Sequence, residues 1–313
     1  MATLPSRTKI LVIKLGALGD IFLSMEGFHA IRASHPDAHI TLMTRAPFVE
    51  LARRMPWFDA VMLDTGPRFY EVGKWIELRR ELRGGGFSRI YDLQCKDRTN
   101  MYFRLMKPGA PDWCGTARGC RQRRTGYDKA QLPAAERQLR YLESVDVARA
   151  GLPDLSWLSG PVDDLGLPER FVMLIPGCAP QHPHKRWPAA HYAELARLLS
   201  ERGMGAVAVG TKVDQEAIEQ VRGIFPGVMN LAGKTDIPQL AEVARRAMGV
   251  VGNDTGPNHI AAIVGAPTLV LMSGRSDPVR TMPHGPDVGW LRRENLEDLS
   301  AEEVNLSVRM RAT

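Results

Sequence analysis

Short apolar runs of strand length alternate with longer helix-like segments, and this alternation constrains the fold more than any other feature of the sequence. The first half contains the runs KILVIK, HITLMT, AVMLD and RIYDLQ, and the second half contains FVMLI, AVAVG, VMNLAG, GVVGND and PTLVLM. Apolar strands separated by helices are typical of a parallel sheet that is buried on both faces. The pattern predicts an α/β protein, and the 313 residues suit two domains of ordinary size.

The stretch SWLSGPVDDLGLPE, at 156–169, is rich in Pro and Gly and has no periodicity. Such a stretch is typical of a linker between domains. We therefore predict a first domain over 1–160 and a second domain over 161–313. A closing helix at 301–311 could pack back on the first domain.

The formal net charge of +6 is unevenly spread along the chain. Residues 1–160 contain 25 Lys and Arg against 17 Asp and Glu, whereas residues 161–313 contain 16 against 18. The first half is therefore expected to face an anionic partner. Nucleic acid is not the predicted partner, because no aromatic strand face or recognition-helix motif accompanies the positive charge.

The composition, with 44% apolar and 24% charged residues, is that of a soluble globular protein. No run approaches the roughly 18 apolar residues that a membrane span needs. The N-terminal stretch MATLPSRTKILVIK lacks the features of a signal peptide, so we predict a cytoplasmic protein. Four cysteines form neither a CxxC pair nor a zinc pattern and are predicted to be free thiols: Cys95, Cys114, Cys120 and Cys178.

The first apolar run ends in KLGALGD, which places Lys14, Gly16, Gly19 and Asp20 before a predicted helix at 21–33. The two glycines make only a G-x-x-G pattern, so the signal for dinucleotide binding is weak. A carboxylate at the positive end of a helix suits a general base or an anchor for a hydroxyl group. The alternative interpretation is that Asp20 simply caps the helix.

A second motif, GNDTGPNHIAAIVGAP, joins two apolar runs in the second half. Asp254 and Thr255 are residue types that begin helices, Gly256 allows a ligand to approach the backbone, and His259 follows in the first turn. The amide groups at such a helix start bind phosphate well. An ordinary capped helix would explain the same residues, and the pattern alone leaves both interpretations open.

The loop PGCAPQHPHKRWP begins with Gly177 and carries Lys185 and Arg186. One or two cations in a loop after a strand suit a diphosphate, although a solvated basic loop anchored by Trp187 would look similar. Three histidines lie in or near the loop, but no carboxylate or cysteine completes a metal site with them, so no metal is predicted: His182, His184 and His191.

The segment GTKVDQEAIEQ opens a helix after the run AVAVG and offers Asp214 or Glu216. An acidic side chain at this point can accept hydrogen bonds from ribose hydroxyls. Capping of the helix by Asp214 is the competing interpretation.

The segment GTARGCRQRRTGYDKA, at 115–130, is strongly basic. Acidic sugars or lipid phosphates would suit it, although each cation could equally belong to a solvated loop. Its cations are Arg118, Arg121, Arg123, Arg124 and Lys129.

Four segments occur in an order that resembles glycosyltransferase family 9, the ADP-heptose:lipopolysaccharide heptosyltransferases. These are the opening stretch ILVIKLGALGDIFLSMEGFHAIRASHPDAHITLM, YDLQCKDRTN, PGCAPQHPHKRWP and NDTGPNHIAAIVGAPTLVLM. The resemblance spans most of the chain, from about Lys9 to Gly274. It implies a GT-B fold, in which two doubly wound Rossmann-like domains face a central cleft.

The resemblance also implies an inverting, metal-independent transfer that uses ADP-heptose as donor and no further cofactor. The implied acceptor is an anionic glycolipid, the nascent lipopolysaccharide core, at the inner face of the cytoplasmic membrane, where the enzyme would bind peripherally. Another nucleotide sugar or acceptor, and a relative that binds a nucleotide or glycan without catalysis, remain alternatives.

Site residues follow from the resemblance by motif position. Asp20 resembles the family's catalytic base. The residues that resemble its nucleotide-sugar site are Gly177, Lys185, Asp214, Asp254, Thr255, Gly256 and His259. The expected acceptor-side residues are Lys14, Gly16, Gly19, Arg121 and Arg124.

Overall fold

The computed structural model describes residues 7–124 and 132–311 and divides into two compact units, Met1–Asp154 and Leu155–Thr313. The division falls just before the Pro- and Gly-rich stretch at 156–169. No helix within the described ranges has the length and apolar content needed to cross a membrane. All four cysteines are free.

The first unit alternates strands and helices from its first described element onward. Its strands are β1 Lys9–Ile13, β2 His39–Thr44, β3 Ala60–Leu63, β4 Arg89–Asp92, β5 Asp112–Gly115 and β6 Gln122–Arg123. Its helices are α1 Leu18–Phe22, α2 Met25–Ser34, α3 Val49–Arg54, α4 Val72–Gly84, α5 Asp97–Met106 and α6 Ala134–Glu143.

The strands of the first unit form one parallel sheet in the order β3-β2-β1-β4-β5-β6. The chain adds strands on one side of β1 and then returns to add β4 on the other side. This reversal creates a switch point between β1 and β4, where ligands bind in open α/β sheets. Ile13 and Asp92 are register partners, so the loops that follow these two strands leave the sheet side by side.

The second unit repeats the alternation. Its strands are β7 Phe171–Ile175, β8 Gly205–Ala208, β9 Val228–Asn230, β10 Gly249–Asn253, β11 Thr268–Ser273 and β12 Val288–Arg293. Its helices are α7 Ala189–Glu201, α8 Gln215–Ile224, α9 Ile237–Arg246, α10 Gly256–Ile263, α11 Pro278–Thr281 and α12 Ala301–Ser307.

The second sheet is also parallel and has the order β12-β11-β10-β7-β8-β9. Counted from its own first strand, this is the same order as in the first sheet, and its switch point lies between β7 and β10. The register pairs Ile175 with Gly252, where a Cβ on the glycine would come within 2.6 Å of the Ile175 Cβ. Glycine at this position therefore allows the two central strands to pack closely.

Alternating residues of β7 contribute to two different cores. Val172 and Leu174 belong to a buried cluster with Trp187 and residues of α7, whereas Met173 and Ile175 belong to a cluster on the opposite face. Helices therefore cover both faces of this sheet, as its continuous apolar strands predict. The helix α12 packs against α7 in the same unit.

The prediction of two doubly wound α/β units is confirmed, but three strands have no counterpart among the predicted runs. β6 and β12 are edge strands with partly exposed residues, and β5 is an interior strand of only four residues. Edge strands need fewer apolar residues, and a four-residue strand is too short to stand out as an apolar run, which is why the search missed all three. The helix predicted at 21–33 is divided into α1 and α2 by a turn at Leu23–Ser24.

Candidate active site

Lys185 and Asp254 form an ion pair where the chain enters α10. The Lys185 Nζ lies 2.6 Å from Asp254 Oδ2, and the Ser276 hydroxyl donates to the same oxygen at 2.8 Å. The Asp254 side chain is only 5% exposed, whereas the Lys185 side chain remains 22% exposed. The pair therefore fixes an ammonium group at the edge of the second switch point while leaving part of it accessible.

Thr255 is the N-cap residue of α10, and Pro257 lies in the first turn. The Thr255 hydroxyl does not cap the helix but donates to the Asn253 carbonyl at 3.3 Å. The first amide groups of a helix have no partner within the helix, so they are available to an anion here. His259, in the same turn, is buried.

Asp214 lies against the loop that follows β7. A Cβ on Gly177 would overlap the Asp214 carboxylate, and a Cβ on Gly210 would come within 2.7 Å of the Asp214 Cβ. Asp214 Oδ2 accepts hydrogen bonds from the Thr211 backbone N–H and hydroxyl, each at 2.8 Å. The two glycines are therefore needed so that this carboxylate can approach the switch point.

The two acidic residues that the sequence left as alternatives differ in their surroundings. Asp214 makes no side-chain capping hydrogen bond to α8, but its carboxylate accepts from the Thr211 N–H and so caps the short 3₁₀ turn Lys212–Asp214 that leads into α8. Glu216, in the first turn of α8, is exposed. Of the two carboxylates, the one of Asp214 is packed beside Gly177.

Asn253, at the end of β10, holds this site together and was not singled out by sequence reasoning. Its Oδ1 accepts from the Trp187 backbone N–H at 3.0 Å and from the Tyr192 hydroxyl at 3.1 Å. Its Nδ2 donates to the carbonyls of Pro176 at 2.7 Å and Gly177 at 3.3 Å. A fully buried amide therefore fixes the β7 loop and the start of α7 against β10.

The surroundings of Lys185 are cationic. Desolvation lowers the pKa of His184, and the charges of Arg275, His182 and Lys185 lower it further. The rings of His182 and His184 lie 5.7 Å apart. In the part of the chain that the structure describes, no group of three or more His, Cys, Asp and Glu side chains could hold a metal ion.

At the first switch point, Lys14 is buried directly after β1. Its Nζ donates to the Leu93 carbonyl at 3.2 Å. Burial lowers the pKa of Lys14, and the nearby carboxylates of Asp20 and Asp92 act in the opposite direction. Lys14 therefore joins the loops after β1 and β4, and its buried position gives it no open surface for a large acceptor.

Asp20 is exposed in the first turn of α1, and Ala17 is the N-cap residue of that helix. Asp20 Oδ2 accepts a hydrogen bond from the Ala17 N–H at 3.2 Å. Gly16 has a φ of +110°, and a Cβ there would lie 2.5 Å from the Phe48 ring, so this position requires glycine. Asp20 is thus oriented by its own turn while its carboxylate stays open to solvent.

Asp92 and Gln94 are further residues of the first switch point that sequence reasoning missed. Asp92 Oδ1 accepts from the backbone N–H groups of Gln94 at 3.1 Å and Cys95 at 2.9 Å. Burial raises the pKa of Asp92 to about 6. The Gln94 side chain accepts from the Leu15 N–H at 3.0 Å and joins the two loops. The polar ending YDLQ of an otherwise buried strand was the available signal.

The basic segment is only partly described. Arg118, Arg121 and Arg123 are exposed, and Lys129 lies outside the described residues. Arg124 stacks over the Tyr141 ring at 5.2 Å and donates to the Arg137 carbonyl at 3.2 Å. Arg124 therefore contributes to packing between β6 and α6, whereas Arg121 presents an open guanidinium group.

The family model described as glycosyltransferase family 9 (heptosyltransferase) matches residues 75–307. The chain is similar to lipopolysaccharide heptosyltransferase 2 of Salmonella typhimurium, with 30% identity over 298 residues that cover 88% of this chain and 85% of the relative. It is also similar to lipooligosaccharide heptosyltransferase 2 of Haemophilus ducreyi, with 26% identity and coverage of 88% and 86%.

Among solved structures, the chain is similar to the ADP-heptose LPS heptosyltransferase II of E. coli. The TM-score is 0.76 at 25% identity, with coverage of 96% of this chain and 97% of that chain. A family 9 glycosyltransferase from Veillonella parvula gives a TM-score of 0.79 at 22% identity, with coverage of 95% and 94%, and supports the fold alone.

Proposed function

Because the chain belongs to glycosyltransferase family 9 (heptosyltransferase), we propose that it transfers a heptose from ADP-heptose to a lipopolysaccharide core acceptor. Two relatives support this choice through their names, lipopolysaccharide heptosyltransferase 2 of Salmonella typhimurium and the ADP-heptose LPS heptosyltransferase II of E. coli. The proposal assigns the donor to the second unit and the acceptor to the first.

The observation that carries the donor assignment is the Lys185–Asp254 pair beside the start of α10. A partly exposed ammonium group next to the amides of Thr255 and Gly256 offers both a point charge and hydrogen-bond donors to a diphosphate. Asp254 orients Lys185, and His259 lies buried in the first turn of α10. These groups would stabilise the negative charge that develops on the departing ADP.

Asp214 is assigned to the ribose of the donor. Its Oδ2 is engaged by Thr211, and the carboxylate lies against Gly177 at the switch point. A carboxylate beside a nucleotide site can accept hydrogen bonds from ribose hydroxyls. This assignment leaves Glu216 outside the site.

Asp20 is assigned as the general base of a single in-line displacement. The acceptor oxygen attacks the anomeric carbon, the bond from that carbon to the diphosphate oxygen breaks, and ADP leaves with the bonding electrons. The hydroxyl proton passes to the Asp20 carboxylate. The configuration at the anomeric carbon is inverted, and the step needs neither a metal ion nor a covalent enzyme intermediate.

The acceptor side is assigned to the first unit, whose sequence carries the excess of positive charge. Lys14 and the two glycines shape the loop that presents Asp20, and Arg121 offers an exposed cation. Of the predicted acceptor-side residues, Arg121 is assigned to the acceptor itself, whereas Lys14, Gly16, Gly19 and Arg124 are assigned supporting roles around it. An anionic glycolipid at the inner face of the cytoplasmic membrane would suit this charge, with the enzyme bound peripherally.

A paired experiment tests the proposal. Calorimetric titration with ADP-heptose, and separately with a UDP-sugar and a GDP-sugar, measures donor preference, and mass spectrometry of reactions with truncated core acceptors measures transfer. We expect tight binding of ADP-heptose and a product heavier by one heptose. Preference for another nucleotide sugar would overturn the assignment of ADP-heptose as donor. Binding of a donor without formation of any product would identify a non-catalytic relative.

A further inference from the structure

Large apolar side chains are exposed together where the first unit enters α4. Phe69 is 87% exposed, Tyr70 57%, and Val72 and Ile76 64% each. We call these four residues the α4 outer face. Phenylalanine and isoleucine are among the residues most often buried in globular proteins, so a cluster of such side chains in water points to a binding surface.

Val72 and Ile76 are four positions apart and therefore lie on the same side of the helix. A different side of α4 contributes Leu78 and Leu82 to the core of the first unit, and Trp75 packs beside them. The exposed residues are thus the side of α4 left over after the helix has already packed against its own sheet.

The turn that carries Phe69 and Tyr70 is held in place by several hydrogen bonds. The Arg68 N–H donates to Glu71 Oε2 at 2.6 Å, and the Trp75 indole donates to the Arg68 carbonyl at 2.9 Å. Arg68 also donates to the Tyr70 hydroxyl at 2.7 Å, and the rings of Phe69 and Tyr70 meet edge to face at 5.2 Å. The two aromatic rings are therefore presented by a fixed turn.

The segment that carries this face has a small excess of positive charge, because residues 68–84 contain five Lys and Arg against three Asp and Glu. Lys74 and Arg80 form ion pairs with Glu71 at 2.6 Å and Glu77 at 3.8 Å. Arg83, seven positions after Ile76, lies on the same side of the helix and is exposed. Two copies of this chain meeting through the α4 outer face would bring these like charges together, which is unfavourable. The charge therefore favours an occupant that combines an apolar interior with an anionic surface.

We propose that the α4 outer face docks on an anionic lipid bilayer, with Phe69 and Ile76 entering the headgroup region and the surrounding cations contacting lipid phosphates. Aromatic and aliphatic side chains next to lysines and arginines are typical of proteins that lie at a membrane interface. Each cation near an anionic leaflet adds to the attraction, and each buried apolar side chain adds a contribution that salt does not screen. The inference rests on the proposed peripheral binding to a membrane, for which it names the surface, and it does not depend on the assignment of the donor.

Vesicle flotation tests the proposal with the full chain and without any donor or acceptor. The vesicles contain equal parts of phosphatidylcholine and phosphatidylglycerol, with phosphatidylcholine alone for comparison. The variant Phe69→Ser/Ile76→Ser should reduce the partition coefficient at least about tenfold, since two large apolar side chains no longer leave water. The matched control is Leu306→Ser, which removes an equally exposed apolar side chain in the second unit.

Charge is tested separately. Arg80→Gln/Arg83→Gln should weaken binding to the anionic vesicles about tenfold, whereas Arg170→Gln/Arg280→Gln, exposed in the second unit, should not. At about 1 M salt, where the Debye length falls to about 3 Å, the wild type should keep a measurable fraction on vesicles that Phe69→Ser/Ile76→Ser lacks.

Three results would overturn the proposal. Equal flotation of Phe69→Ser/Ile76→Ser and the wild type would show that these apolar side chains do not contact the bilayer. An equal loss of vesicle binding in Leu306→Ser would show that the effect is not specific to the α4 outer face. A wild type that forms a dimer by light scattering, with the dimer but not vesicle binding lost in Phe69→Ser/Ile76→Ser, would assign the face to a second copy of the chain.

Discussion

The two units share one strand order, yet their switch points carry different chemistry. In the first unit, the carboxylate of Asp20 accepts a hydrogen bond from the N-cap residue of the short helix α1. In the second unit, Asp254 precedes the N-cap residue of α10 and is paired with Lys185. A phosphate would meet a carboxylate in the first case and an ammonium group in the second. The position of one carboxylate relative to the helix start therefore gives different chemistry to two sites that are built on the same topology.

The largest expected effect tests the chemistry of the first switch point. Asp20→Asn should reduce the rate of transfer about 10²–10⁴-fold, the usual contribution of a general base. The amide oxygen can still accept the Ala17 N–H, so the turn and the affinity for ADP should be retained. Single-turnover kinetics and ADP calorimetry measure the two quantities, with Asp37→Asn, an exposed acid of the same unit, as the control. Full activity of Asp20→Asn would assign the base elsewhere.

The next effect concerns the pH dependence of stability. Burial raises the pKa of Asp92 from 3.8 to about 6, so the folded protein binds this proton more tightly than the unfolded chain does. The stabilisation of the folded protein by this bound proton is complete below pH 3.8 and is lost as the pH rises through about 6. Asp92→Asn has no carboxyl group to titrate at this position. Its free energy of unfolding should therefore rise by about 3 kcal/mol relative to that of the wild type as the pH increases from 3.8 to about 6.

Denaturant unfolding of Asp92→Asn and the wild type at a series of pH values measures this difference. The side-chain amide oxygen of the variant could still accept from the backbone N–H groups that now bond Asp92 Oδ1, so the fold should be retained. If the free energies of unfolding of Asp92→Asn and the wild type changed in parallel over the whole pH series, the raised pKa of Asp92 would be contradicted.

The ion pair of the second switch point is tested by removing its cation. Lys185→Met should weaken ADP binding by about 2 kcal/mol, roughly 30-fold, because a charge-assisted contact to phosphate is lost. It should also lower Tm, because Asp254 is left buried without its cation. Lys185→Met/Asp254→Asn should recover Tm and not the affinity, as measured by calorimetry and thermal melting. Recovery of both would show that Lys185 is structural and does not contact the diphosphate.

The smallest expected effect concerns the ribose contact. Gly177→Ala should weaken ADP binding about tenfold, or 1.4 kcal/mol, since its Cβ would displace the Asp214 carboxylate. Gly223→Ala, in α8 with open space around the position, is the matched control and should bind normally. Calorimetry with ADP checks both variants. Unchanged affinity of Gly177→Ala for ADP would show that Asp214 does not contact the nucleotide.

Sequence reasoning found the central strands and the motifs that follow them, because buried parallel strands and helix starts leave local patterns. Lys185 and the DTG motif could be assigned to one region because both follow central strands, although 69 residues separate the two members of their ion pair. The short edge strands β6 and β12 left no such pattern.

Other features depended on tertiary packing. Nothing local in the sequence indicates that Asn253 bonds to Pro176, 77 positions away, or that Ser276 reaches Asp254. The exposure of Phe69 and Ile76 likewise depends on which side of α4 meets the sheet. The packing of the Asp214 carboxylate on Gly177, which distinguishes its surroundings from those of Glu216, is likewise a tertiary contact.

Asn253 has a consequence for attempts to change donor preference by protein engineering. Its side-chain amide accepts two hydrogen bonds and donates two, to four different partners. An aspartate at this position would lose the two donated hydrogen bonds, and a leucine would lose all four. Libraries that vary the exposed loop positions 179–184 while keeping this residue should give mostly folded proteins. Libraries that randomise Asn253 itself should yield few soluble clones, whatever donor is selected.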